Sequence, residues 1–100
     1  MRVIARSSLI EFYTKHPESK ASLETWFHVA KSAKWEKPLD VAGTFSSAKV
    51  VSNDRIRFKI RGNDYRLIVA FDFEREIAFI KFIGTHADYD KIDAATVSSY

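Results

Sequence analysis

The sequence predicts an α+β fold in which helices come first and a three-stranded meander follows. Three observations carry that expectation. Apolar residues between 9 and 30 recur at helical spacing. From residue 55 the period switches to two. The later segments are joined by short turns, Gly62-Asn63-Asp64 and Glu74-Arg75-Glu76, with no crossover between them.

Residues 1–5 (MRVIA) form a short apolar segment that suits an edge strand. Ser7 and Ser8 are N-cap residue types, and Glu11 follows at capping-box spacing. The helix they open carries Leu9, Ile10, Phe12 and Tyr13 and ends at His16-Pro17, because a residue before proline avoids the α region. Ser19 is the next cap. Leu23, Trp26, Phe27 and Ala30 then make the stripe of a second helix reaching about residue 33. Pro38 and Gly43 make 35–45 irregular, with one short turn at 39–42. Residues 48–51 suit a short extended segment, and Ser52-Asn53-Asp54 a turn. Strands are expected over 55–60, 65–73 and 77–83, then a short helix or turn over 86–92. The order is β-α-α-β-β-β plus a short C-terminal element. One domain is expected over 1–100, with a frayed tail from about Asp93.

Composition excludes several function classes. One hundred residues cannot close a (β/α)₈ barrel, which takes roughly 250. With no cysteine there is no disulfide framework, thiolate metal site or cysteine nucleophile, which fits a reducing cytoplasm. No apolar run approaches the roughly 20 residues of a membrane span, and no secretory signal is visible. His16 and His28 lack useful metal-ligand spacing. The expectation is therefore no metal, no cofactor, no membrane and a cytoplasmic location.

The formal charge of +3 hides its distribution. In Arg55-Ile56-Arg57-Phe58-Lys59-Ile60-Arg61 every odd residue is basic and every even one apolar. Strand side chains alternate faces, so Arg55, Arg57, Lys59 and Arg61 form a row spaced about 6.6–6.8 Å apart. That spacing suits a polyphosphate backbone. Any sheet with one wet face also alternates, but wet faces usually mix signs. Residues 55–66 hold five basic residues and one acid, whereas 67–100 hold three basic residues and six acids. A two-residue loop at Asn63-Asp64 would set Arg66 opposite Arg61, an unfavourable pair unless an anion lies between them.

After the last strand, His86 and Tyr89 stand three apart, so one helical turn puts them on one side. RNA cleavage by 2′-hydroxyl attack needs a base, cations on the phosphate and an acid for the leaving 5′-oxygen. His86, the basic row and Tyr89 are residue types able to supply them without a metal. A surface turn would carry the same His-x-x-Tyr spacing.

The start MRVIARSSLIEFYTKHP, the Trp26-Phe27 helix, Trp35-x-x-Pro38, Gly62-Asn63-x-Tyr65-Arg66-Leu67 and Gly84-Thr85-His86-Ala87-Asp88-Tyr89-Asp90 resemble the HigB family of bacterial toxins. The resemblance runs to about Thr96. It implies a RelE-like fold, two helices on a small antiparallel sheet. It also implies an mRNA interferase acting on the ribosome and silenced by a HigA-type helix-turn-helix antitoxin. By motif it marks Arg66, His86 and Tyr89; Lys59 and Arg61 rest on the basic row, and Lys81 stands where related toxins often carry arginine. It leaves open whether His86 or a lysine is the base. The expected site is thus His86, Tyr89, Arg66 and Lys59, with Arg55, Arg57, Arg61 and Lys81 binding RNA. The rivals are a non-catalytic RNA- or ribosome-binding module and a structural partner of a helix-turn-helix protein.

Overall fold

A computed structural model describes residues 1–100. The elements are β1 (Arg2–Ile4), α1 (Arg6–Lys15), a 3₁₀ turn (Pro17–Ser19), α2 (Lys20–Ser32), α3 (Pro38–Thr44), β2 (Lys49–Val50), β3 (Arg55–Ile60), β4 (Tyr65–Asp72), β5 (Ile77–Thr85) and α4 (His86–Tyr89). The fold is α+β. One sheet runs in the order β1-β5-β4-β3-β2. The sheet is mixed rather than wholly antiparallel, because β1 joins the edge parallel to β5, with Arg2 opposite Ile77. A parallel partner needs a long connection, and everything between β1 and β5 supplies it. No helix is long and apolar enough to cross a membrane.

The helix starts differ from the sequence reading. α1 opens after Ala5 with no side-chain cap, so Ser7 and Ser8 lie inside it. Ser19 does hold the N-cap position of α2, but its Oγ donates to the His16 carbonyl at 2.7 Å. It thereby closes the turn rather than capping the helix. The last carbonyls of α2 meet a cation: the Met1 ammonium donates to Ala30, Lys31 and Ala33 at 3.1, 3.1 and 2.9 Å.

The α2 stripe is the one expected, with Leu23, Trp26, Phe27 and Ala30 all buried. It packs on Ile56, Phe58 and Ile60 of β3, Leu67, Val69 and Phe71 of β4, and Ala78, Ile80 and Ile83 of β5. An aromatic chain runs through this layer. Trp26 meets Phe58 edge-on at 5.5 Å, and Phe71 lies 6.3 Å from Phe58 and 5.8 Å from Trp35. Each buried side chain of this size contributes roughly 1.5–3 kcal/mol.

Two irregularities shape the other face of the sheet. Val69 pairs with Ile80 but Ile68 with Phe82, so Lys81 is the extra residue of a β-bulge. The bulge keeps Ile83 in the core and turns Phe82 to the opposite face. That face is not simply wet. Ile68, Ala70 and Phe82 are buried along with the core, so β4 is covered on both sides. The segment after Asp93 contributes to that cover. Arg55 Nη1 donates to the carbonyls of Ala94 and Val97, and Ser99 N–H donates to the Lys81 carbonyl at 2.9 Å.

Candidate active site

The β3–β4 hairpin sets the site, and its turn is longer than the sequence suggests. The ladder ends with Ile60 opposite Tyr65, leaving four residues, 61–64, in the turn. Arg61 and Gly62 both take left-handed backbone, at φ 51° and 62°, which suits glycine but strains an arginine. Arg61 therefore leaves the basic row and pairs with Asp64 at 2.9 Å. The like-charged cross-strand pair is Lys59 opposite Arg66, not Arg61 opposite Arg66. A longer turn has moved the register while keeping the repulsion.

Arg66 is only 4% exposed. Asn63 holds it: Nη1 donates to the Asn63 carbonyl and Nη2 to Asn63 Oδ1, both at 2.8 Å. Nη1 also reaches the Tyr65 carbonyl at 3.3 Å. The buried Nε has no partner. The planar fork of an arginine is gripped at both terminal nitrogens this way, which fixes where its charge sits.

Across the sheet Arg66 faces Gly84, and α4 closes over that point. Thr85 and Asp88 form a capping box: Asp88 N–H donates to Thr85 Oγ1 at 3.1 Å, and Thr85 N–H to Asp88 Oδ2 at 3.3 Å. His86 N–H donates to the Asp64 carbonyl at 3.2 Å, tying α4 to the hairpin turn. A β-carbon on Gly84 would stand 2.6 Å from the Phe82 ring and 3.2 Å from Asp88 Cβ. Gly84→Ala is therefore expected to push out Phe82 or α4 and to destabilise by about 1–3 kcal/mol. A thermal melt beside wild type checks this; an unchanged melting temperature contradicts it.

On α4 the His86 side chain is 52% exposed, with Nε2 3.7 Å from Asp90 Oδ1. The Tyr89 ring lies 6.0 Å from the Arg66 guanidinium carbon and 6.4 Å from the Phe82 ring. Lys59 is exposed and makes no ion pair. Lys59, Arg66, His86 and Tyr89 thus gather where the hairpin turn meets the end of β5. The other four residues do not join them. Arg55 is held by the tail carbonyls. Arg57 Nη2 leans on the Ser47 carbonyl at 3.4 Å. Arg61 is in the turn, and Lys81 lies over the Phe79 ring at 5.5 Å.

Sequence reading missed a buttress beneath this corner. Tyr65 OH donates to Glu18 Oε1, fixing the 3₁₀ turn to the hairpin. His16 stacks on Phe12 at 4.4 Å, and its Nδ1 is 3.8 Å from Glu18. The Tyr65 hydrogen bond holds the Glu18 carboxyl below its ordinary value of 4.5 and the tyrosine above 10.0. A parallel link joins α1 to α2. Tyr13 OH donates to Glu24 at 2.6 Å, which lowers the glutamate, and Arg6 adds to the effect.

A carboxyl lowered on folding stabilises above its unfolded value, and that stability is lost as pH falls through the folded one. The melting temperature is therefore expected to drop as pH falls below about 4.5, the ordinary glutamate value. A Glu18→Gln, Glu24→Gln double variant should be less stable than wild type at pH 7 and show a shallower acid decline. Parallel acid declines would contradict it.

The HigB toxin family, described as the RelE-like toxic component of a toxin-antitoxin system, matches residues 19–92. Among curated proteins, the mRNA interferase HigB of Escherichia coli O6:H1 (strain CFT073) is 27% identical over 97 residues, covering 92% of this chain and 91% of its own. The mRNA interferase toxin HigB of Escherichia coli K12 is 25% identical over 93 residues, covering 90% and 88%. The mRNA interferase HigB of Shigella flexneri matches to the same extent.

Proposed function

The chain belongs to the HigB family of RelE-like toxins, and from that premise we propose that it is a ribosome-dependent endoribonuclease that cuts translated mRNA and is silenced by a HigA-type antitoxin. The observation that carries the proposal is the gathering of Lys59, Arg66, His86 and Tyr89 at one corner of the sheet. The names of the relatives support the activity.

His86 takes the proton from the 2′-hydroxyl of the substrate ribose. The 2′-oxygen bonds to phosphorus as the bond from phosphorus to the 5′-oxygen breaks. The products are a 2′,3′-cyclic phosphate and a 5′-hydroxyl end, and Tyr89 gives the leaving oxygen its proton. Lys59 meets the charge that gathers on the phosphate, and the buried Arg66 guanidinium adds positive potential from beneath. The half-exposed imidazole is the side chain at this corner suited by its type to taking and giving a proton. Arg55, Arg57, Arg61 and Lys81 steer the strand by charge from outside the corner.

Purified protein is expected to cut mRNA held on translating ribosomes and to leave the same naked mRNA largely intact. Equal cutting of both would remove the ribosome from the proposal, and cutting of neither would end it.

A further inference from the structure

Between α2 and the edge of β3 lies an open groove of about 390 Å³ that shares only Lys59 with the catalytic corner. Its walls include Trp26, Phe45, Phe58 and Ile60, and its mouth carries Lys59 and Arg61. No carboxylate lines it. Phe45 and Phe58 meet edge-on at 5.4 Å. The buried Trp26 Nε1 has no hydrogen-bond acceptor in the protein. The neighbouring sheet edge is short of partners too. β2 pairs only with Ile56 and Arg57, and the Lys59 N–H reaches no strand but the Ser47 hydroxyl at 3.3 Å.

We infer that this groove is the docking site of the antitoxin, taking a large apolar side chain from an acidic segment with a carboxylate that pairs with Lys59. Membership of a toxin–antitoxin family supplies a polypeptide partner. The apolar walls give a buried anchor, and at the mouth Lys59, which has no ion pair, asks for negative charge, while Arg61 is already met by Asp64. RNA is the less fitting occupant. The groove is built from core-side residues of β3 and from α2, whereas Arg66 and α4 stand on the opposite side of the sheet. Lys59 is common to the groove and the catalytic corner. An occupant pairing with Lys59 takes that cation from the substrate phosphate while leaving His86 and Tyr89 uncovered. Neutralisation is then withdrawal of charge and obstruction at one edge.

The inference rests on the proposed toxin activity, and its test separates the two. Ser22→Gln and Thr25→Trp add bulk to the groove wall on α2, at one half-buried and one exposed position, without adding charge beside Lys59. Each variant is expressed in cells alone and with the cognate antitoxin, and each purified protein is melted and titrated against that antitoxin by calorimetry. Both variants are expected to arrest growth as wild type does. Both should lose rescue, with affinity falling at least about tenfold, the scale of a disturbed interface anchor. Should the tryptophan prevent folding, the glutamine variant reads the groove through its smaller added bulk. Unchanged rescue and affinity in a folded variant would overturn the inference. So would lost cleavage at an unchanged melting temperature, which would assign the groove to mRNA. If wild type itself fails to arrest growth, the toxin reading fails, while the calorimetric affinity still decides the docking site.

Discussion

Replacing His86 with alanine is expected to lower mRNA cleavage by about 10²–10⁴-fold, the usual contribution of a positioned proton-transfer group, and to leave the fold intact. The imidazole is 52% exposed, and its one ionic neighbour is Asp90 at 3.7 Å. The features that hold α4 in place belong to the Thr85–Asp88 box and to the backbone bond from His86 N–H to Asp64. None of these needs the His86 side chain. A melting temperature close to wild type with cleavage reduced on that scale meets the expectation. Cleavage within a few-fold of wild type would move the base elsewhere, with Lys59 the first replacement to examine.

Arg66→Ala is expected to differ by damaging activity and stability together. Arg66 is buried, and its three hydrogen bonds brace the turn through Asn63 and Tyr65. Hydrogen bonds to a charged group are worth about 1.5–3 kcal/mol, and a 100-residue chain loses roughly 4–8 °C of melting temperature per kcal/mol. Arg66→Lys keeps the charge but cannot reproduce the fork, so it should recover little of either property. Melting curves and single-turnover cleavage of the three proteins decide this. A lysine variant with full activity would mean that Arg66 acts only as a diffuse positive charge.

Much of the fold was legible in the sequence because its periods are clean. The α2 stripe, the 55–60 alternation and the break at His16-Pro17 each leave one arrangement open. The errors arose where a decision depends on backbone angles. Arg61 reads as the last member of a basic row until the turn takes it into left-handed backbone, and that change re-registers Arg66 against Lys59. Ser7 and Ser8 suit a cap, but Ala5 is where the chain enters the helix.

The near-continuous apolar run of β4, LIVAF after Arg66, was a readable sign of burial on both faces. The candidate residues His86, Tyr89 and Arg66 came from a motif. The parts that hold them did not: the Tyr65–Glu18 link joins residues 47 apart in the chain, and Asn63 under Arg66 and the close approach at Gly84, though local, depend on backbone angles and rotamers that residue spacing does not reveal.

The most direct test of the ribonuclease is to map mRNA 5′ ends in cells after brief induction of the wild-type chain and of His86→Ala. The predicted result is new 5′ ends at a constant position within codons of translated messages, present with wild type and absent with the variant. Growth arrest by wild type with no such ends, or equal ends from both proteins, would contradict it. The first outcome would leave an RNA- or ribosome-binding protein that arrests translation without cutting, and the second a nuclease whose base is not His86.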